Sequence, residues 1–378
     1  MLIVEDVRRT GTAQGWELSA RVRAKAALGV GRLHFTVRGG EADRLPERGD
    51  AFLAALVMPA MSLGEDLLVD APVSPRLLRS ARTVMEIYSA WWERLRPVRV
   101  TATGTAVATG GEDAVGLFFT TGVDCFYSLL KDGERRTEPH HQPVTDLLFA
   151  NFEQDSGTDH DRLVARIGQV AARSRCRAVV VDTNIRSFAE PLTTWEAYHG
   201  AALGGVALSL QGLLGRCLIA ASDQYRHLPP LGSHPLLDHL WSTEGLEIVH
   251  DGAEATRTGK VERRLVGSAL ALDNLGVCWR SRPGHNCGEC EKCLRTMAAL
   301  ELAGALGRCR TLPRVLDLHR LRTVPVESED ARVSMRELAL DARARGRHDI
   351  ADAAEHALER PRPGRSGPTA SGDRRERP

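Results

Sequence analysis

Lysine is scarce in this chain. Only Lys25, Lys131, Lys260 and Lys292 occur in 378 residues, so arginine is the default cation. Lysine is a compact point charge that can ligand a phosphate, so its retention at Lys131, Lys260 and Lys292, all in stretches that carry other signals, is a weak pointer to function. An excess of one charge is also lacking. Fifty basic and 49 acidic residues leave a net charge of +1, which gives no overall field to attract nucleic acid or an anionic membrane. Long apolar runs are missing as well. Residues 51–63 and 201–214 come nearest, but Pro59 and Gln211 interrupt them and neither is long enough to cross a bilayer. The opening MLIVEDVRRT has no basic start and no apolar core of the secretory kind. A cytoplasmic protein without membrane or nucleic-acid partners is expected.

What is present is an ordinary globular composition, 43% hydrophobic and 26% charged, in a chain long enough for two domains. Residues 1–112 read as an α+β module of their own. Strand-like alternation runs through Trp16–Ala27 and Gly31–Gly39, Ala51–Met61 suits a buried strand or a short helix, and Pro75 opens a helix reaching about Leu95. Val98–Val107 reads as a Thr-rich strand before a linker at 109–113. This module could capture a substrate or partner, or pad the interface of a homodimer, the expected assembly.

From Val115 onward, short apolar runs alternate with helical stretches, which predicts a doubly wound parallel sheet with ligands at the carboxyl ends of its strands. Residues 113–320 form this α/β domain, 321–359 add helices, and 360–378 compose a polar tail expected to be disordered. Gly116–Lys131, GLFFTTGVDCFYSLLK, reads as strand, tight turn and helix start, a geometry that aims backbone N–H groups at an anion. Asp124 at its mouth could hold a Mg²⁺ that accompanies a phosphate. Asp182 and Ser222 fall at further strand ends. The polar stretch from His227 to Asp251 offers His234 and Asp238 as candidate pocket residues.

Eight cysteines are present, and Cys278, Cys287, Cys290 and Cys293 fall within sixteen residues. Four thiolates at this spacing suit a closed, structural Zn²⁺ site, and an iron–sulfur cluster would use the same residues.

Thr120–Cys125 resembles the Ser-Gly-Gly-x-Asp-Ser pyrophosphate loop of the PP-loop ATP pyrophosphatases. Gly122 and Asp124 are strict; Thr120, Thr121 and Cys125 stand for Ser, Gly and Ser. With Lys260 and the C-x8-C-x2-C-x2-C arrangement, residues 115–305 are similar to the 7-cyano-7-deazaguanine synthases of queuosine biosynthesis. The resemblance implies a Rossmann-like PP-loop fold with a zinc knuckle. It implies that Thr120, Thr121, Gly122, Val123, Asp124 and Cys125 hold the pyrophosphate of ATP, with Mg²⁺ near Asp124. Thr183 and Asn184 would lie near adenine or ribose, Ser222, Asp223 and Tyr225 would face the substrate, and Lys260 would approach the phosphates.

The activity so implied is adenylation of a small carboxylic acid, or of a carboxyl group on a partner protein, with release of pyrophosphate. Ammonia or another nucleophile would then displace AMP to leave an amide or a nitrile. Two other readings stand beside it. One is ATP-dependent sulfur transfer, with Cys125 activated at a helix start. The other is a non-catalytic nucleotide-binding or scaffold protein, because Thr121 places a Cβ where the family has glycine.

Overall fold

The computed structural model describes residues 1–25, 31–39, 45–109, 113–152, 158–278, 280 and 286–360. The expected linker at 109–113 falls largely outside these residues, as does the tail beyond Arg360. The chain opens with β1 (Leu2–Thr12), β2 (Gly15–Arg23) and β3 (Gly31–Arg38), an antiparallel meander. Then come α1 (Asp50–Leu63), β4 (Leu67–Val73), α2 (Pro75–Trp91) and β5 (Val100–Thr105). The ambiguous stretch at Ala51–Met61 is helix, buried on nearly every side. Pro59 removes the N–H that would bond to the Ala55 carbonyl one turn back, and the Tyr198 hydroxyl donates to that carbonyl instead at 2.6 Å. The helix ends at Gly64, whose φ of 63° is the left-handed conformation that glycine adopts without a Cβ penalty. The start of α2 is written locally: the Ser74 side chain accepts from the Leu77 N–H at 3.1 Å, and Pro75 occupies the first turn.

The second half runs β6 (Val115–Phe118), α3 (Val123–Arg135), β7 (Asp146–Asn151), α4 (Thr158–Arg173) and β8 (Arg177–Thr183). It continues with α5 (Ile185–Ala189), α6 (Trp195–Ser209), β9 (Arg216–Ala220), β10 (Glu247–Asp251), α7 (Arg257–Arg263) and α8 (Ala269–Asn274). The chain closes with α9 (Glu291–Leu302), α10 (Leu318–Thr323), α11 (Glu329–Ala344) and α12 (His348–Glu359).

All ten strands form one mostly parallel sheet in the order β10-β9-β6-β7-β8-β3-β2-β1-β4-β5. Strands β6 to β10 are mutually parallel, and by their own order of appearance they lie 5-4-1-2-3, the doubly wound arrangement. The chain winds outward from β6 through β7 to β8, then returns to lay β9 and β10 on β6's other side. The ends of β6 and β9 therefore flank the topological switch point. Successive residues of these strands alternate between two apolar layers: Cys217, Ile219 and Ile248 face one, Val115, Leu117 and Leu147 the other.

The stretch expected as a module of its own, residues 1–112, is joined edge to edge with the rest. β3 pairs antiparallel with β8, and the first apolar layer mixes Phe35, Phe52 and Leu56 with Ala201, Val206 and Trp241. Physically, β3 and β8 each satisfy a ladder the other would leave open. A third cluster, with Leu294, Leu321, Met335 and Ile350, joins α9 to the C-terminal helices.

Candidate functional site

The turn after β6 stands at the switch point, and α3 begins with Gly122 as its N-cap. Thr121 adopts φ +63°, the left-handed region in which a β-branched residue is strained by roughly 1–3 kcal/mol. Its side chain is fully buried and turned inward, because a Cβ added at Gly276 would stand only 2.5 Å from the Thr121 hydroxyl. The Gly276 N–H donates to the Thr121 carbonyl at 2.9 Å, fixing the turn from below. The Thr121 side chain is thus buried, with its hydroxyl toward Gly276.

Asp124 occupies the first turn of α3. Lys260 donates to its Oδ1 and Arg257 to its Oδ2, each at 2.9 Å. Both donors are buried and both come from α7, whose start is capped by Thr256 accepting from Gly259 N–H. Lys260 also donates to the Ala221 carbonyl at the end of β9, so one side chain ties together the two loops that flank the switch point. Burial pushes the Asp124 carboxyl up, but the Lys260 and Arg257 charges outweigh this and hold it at about 2. Mg²⁺ was the expected companion of Asp124. Both its oxygens already accept from cationic donors, so the residues present do not favour a divalent ion there.

More charge surrounds this pair. Lys292 and Arg295, on α9, lie close enough that Lys292 is pushed down from the usual lysine range, first by burial and then by Arg257 and Arg295. Arg257 Nε and Nη2 are buried without a partner. Across the crevice, Asp223 follows β9 and lies within hydrogen-bond reach of Asp330 on α11. Burial and this like-charged neighbour push the Asp223 carboxyl up to about 8. Arg257, Asp330 and Arg295 were not anticipated from the sequence, whereas Lys292 carried the signal of lysine scarcity.

The other expected residues divide. Ser222 is exposed at the crevice with Asp223 beside it, and Tyr225 points outward, 58% exposed. Val123 and Cys125 are buried, so only their backbone can face a ligand. Burial raises the Cys125 thiol to about 11, the reverse of the activated thiol that sulfur transfer requires. Thr183 and Asn184 are engaged elsewhere. Thr183 accepts from Ile185 N–H at 3.2 Å, while Asn184 clasps β3 by accepting from His34 N–H at 3.1 Å and donating to the Arg32 carbonyl at 2.7 Å.

His234 and Asp238 lie away from the crevice. Asp238 accepts from Ser233 at 2.7 Å and pairs with His250 Nδ1 at 2.7 Å, and the His234 ring meets Trp91 edge-on at 4.9 Å. His250 pairs in register with Ile219 and so faces the apolar layer that Ile219 joins. Within the polar stretch, β10 and a 3-10 turn at Asp238–Trp241 enclose Asp238, His234 and Ser242 in buried hydrogen bonds.

The four cysteines of the knuckle converge as expected. All four Sγ atoms lie within 4.8 Å of one another, and none of the four is in a disulfide. The Cys278–Cys290 and Cys287–Cys293 separations are 3.8 and 3.9 Å. A tetrahedron with Zn–S bonds of about 2.3 Å has edges of about 3.8 Å, so the set fits a zinc-sized ion. Gly288 is required here twice over: its φ is +72°, and a Cβ would meet Pro313 at 2.5 Å. The Cys290 and Glu289 N–H groups donate to Cys287 Sγ at 3.2 and 3.4 Å. Asn286, missed in the sequence, accepts from Val277 and Cys278 N–H and donates to the Leu275 and Thr311 carbonyls, setting the ligand loop.

Comparison with protein-family models, with curated proteins and with solved structures finds no match for this chain. Among the described residues no helix is long and apolar enough to cross a membrane.

Proposed function

We propose that the protein is an ATP-dependent ligase of the PP-loop kind, similar to 7-cyano-7-deazaguanine synthase, that adenylates a carboxylate and releases pyrophosphate. The observation that carries this reading is the Asp124–Lys260–Arg257 cluster at the switch point, with the buried Arg257 nitrogens left unpartnered beside a helix start. An incoming triphosphate supplies the missing acceptors. The α3 N–H groups and Lys260 would take the pyrophosphate, and Arg257 and Lys292 would offset the charge that develops as the α–β bond breaks. Asp124 orients Lys260 and Arg257. No step is assigned to a magnesium ion on this chain's residues. A metal ion held by Cys278, Cys287, Cys290 and Cys293 would have its four positions filled by thiolates and would anchor α9 rather than take part in chemistry.

The sulfur-transfer alternative loses its nucleophile with the raised Cys125 thiol. The non-catalytic alternative rests on a Thr121 Cβ crowding the phosphate, and the burial of that side chain against Gly276 speaks for the ligase reading instead. Pyrophosphate release from labelled ATP by the purified chain, with a pool of small carboxylic acids, tests the reading. Release is expected, and Asp124→Asn should reduce it at least about a hundredfold, by loss of transition-state charge placement. No release together with no ATP binding by calorimetry would reject it.

A further inference from the structure

Lys131 is one of only four lysines in the chain, and the site described above leaves it out. It lies about two turns beyond Asp124 on α3 and meets the same aromatic ring as Lys260. That ring belongs to Tyr127, which is 1% exposed. Its centroid is 5.7 Å from Lys131 Nζ, 5.9 Å from Lys260 Nζ and 4.7 Å from the Arg264 guanidinium carbon. Each of these cations also has a carboxylate: Lys260 donates to Asp124, Lys131 to Glu254 at 2.9 Å, and Arg264 to Glu134 at 2.7 Å. The Tyr127 hydroxyl donates to the same Glu254 oxygen at 2.9 Å, and Lys131 is pinned in turn by Asp251 at 2.7 Å. Lys131 therefore holds Glu254, Glu254 holds the ring by its hydroxyl end, and the ring meets the ammonium that binds Asp124.

From this arrangement we infer that Tyr127 is a positioning residue, whose ring holds the Lys260 ammonium in place for the triphosphate. The inference rests on the ATP-binding function proposed above. An ammonium carries three N–H donors, and Lys260 uses two of them on Asp124 Oδ1 and the Ala221 carbonyl. The third is the one left for a phosphate oxygen. A further carboxylate beside Lys260 would occupy that donor, whereas a ring face attracts the cation without taking an N–H. An aliphatic side chain in the same place would leave the third donor free but would not attract the ammonium. Lysine has a flexible four-carbon stem, so the contact with the ring narrows the positions its charge can take before ATP arrives. Lys131 serves the same end at one remove, by fixing the acceptor to which the Tyr127 hydroxyl donates.

Calorimetry with ATP on the full chain tests this through Tyr127→Phe, which keeps the ring, and Tyr127→Leu, which removes it. Tyr127→Phe should lose less than about threefold in ATP affinity. Tyr127→Leu should bind about fivefold or more weakly than Tyr127→Phe, within the range that a desolvated cation–ring contact supplies. In a Lys260→Met background the difference between Phe and Leu should fall below about twofold, because the ring acts through the ammonium. A ring that merely packs the interior would weaken binding equally in both backgrounds. Equal affinities for the Phe and Leu variants, or a difference undiminished without Lys260, would overturn the inference. Where Lys260→Met leaves no measurable ATP binding, urea unfolding of the same chains reads the cycle. The Phe-to-Leu ratio of unfolding constants should then be at least about threefold smaller without Lys260, and an unchanged ratio overturns the inference. Tyr127→Met replaces Tyr127→Leu if that variant does not fold. A parent chain that binds no ATP rejects the ligase reading and this inference with it. A parent that binds ATP while Leu matches Phe rejects the inference alone.

Discussion

Thr121 shows how a single residue can mislead a motif and still serve it. In the resembling family this position is glycine, and the backbone here has the left-handed φ that explains why. Gly122, the strict match, has an ordinary extended conformation with room for a Cβ, so the demand for glycine falls one residue earlier than strict matching would place it. With the Thr121 side chain buried, Thr121→Gly should leave ATP affinity within about threefold of the parent by calorimetry. A gain beyond about tenfold would mean that the methyl does reach the mouth. The two carboxyl groups of the crevice give opposite pH signatures. Asp124 is held low, so its contribution to stability is present above the ordinary carboxylate range near 4 and is lost as pH falls through about 2. Asp223 is held high, so its contribution is full below that range and is lost as pH rises through about 8. Melting temperatures of the parent should therefore fall more steeply between about pH 4 and pH 8 than those of Asp223→Asn. Parallel curves would remove Asp223 from the raised-acid role.

At the scale of elements, α9 links the two chemical features. Cys290 caps it and Cys293 sits in its first turn, so a metal ion held by the four thiolates would fix the helix start, while Lys292 and Arg295 on the same helix face the Asp124 cluster. Metal analysis should give about one zinc per chain. Cys293→Ser should lose that zinc, melt at a lower temperature and bind ATP more weakly, because the cations of α9 lose their anchor. Iron with sulfide in place of zinc would reject the closed zinc site. Elements also show where sequence reading is blind. β1 was unseen because, after Leu2-Ile3-Val4, only Val7 is a large apolar residue, and Glu5 and Asp6 pair with Arg21 and Arg23 across the meander. β4 was hidden by Pro72, which sits at a register shift where the ladder to β5 tolerates it. β10 was hidden in a polar stretch because only Ile248 and Val249 announce it.

In the whole molecule, the ten-stranded sheet runs through both halves of the chain, joined where β3 pairs with β8. The layer holding Phe35, Phe52, Val206 and Trp241 is built from both, and Asn184 and the Arg38–Asp182 pair at 2.6 Å pin β3 to β8. Calorimetry of the full chain should record a single unfolding transition. A chain starting near Asp113 should be insoluble or unfolded, since it exposes both the β8 edge and that apolar layer. Two separate transitions, or a well-folded fragment, would show that residues 1–112 fold as an independent module.

Features with local signals are legible in the chain alone. The four cysteines, the strand–turn–helix at 116–131 and the strand–helix alternation each depend on neighbours within a few turns of chain, where spacing and periodicity are physical constraints. Which distant groups meet is a matter of the folded arrangement. Arg257 and Lys260 reach Asp124 across more than 130 residues, and Asp330 reaches Asp223 from a helix near the chain's end. It also withdrew Asn184, His234 and Asp238 into structural bonds. Long-range pairing depends on how the sheet winds about its switch point, and that winding is set by the balance of burial over the whole chain, which no single stretch records.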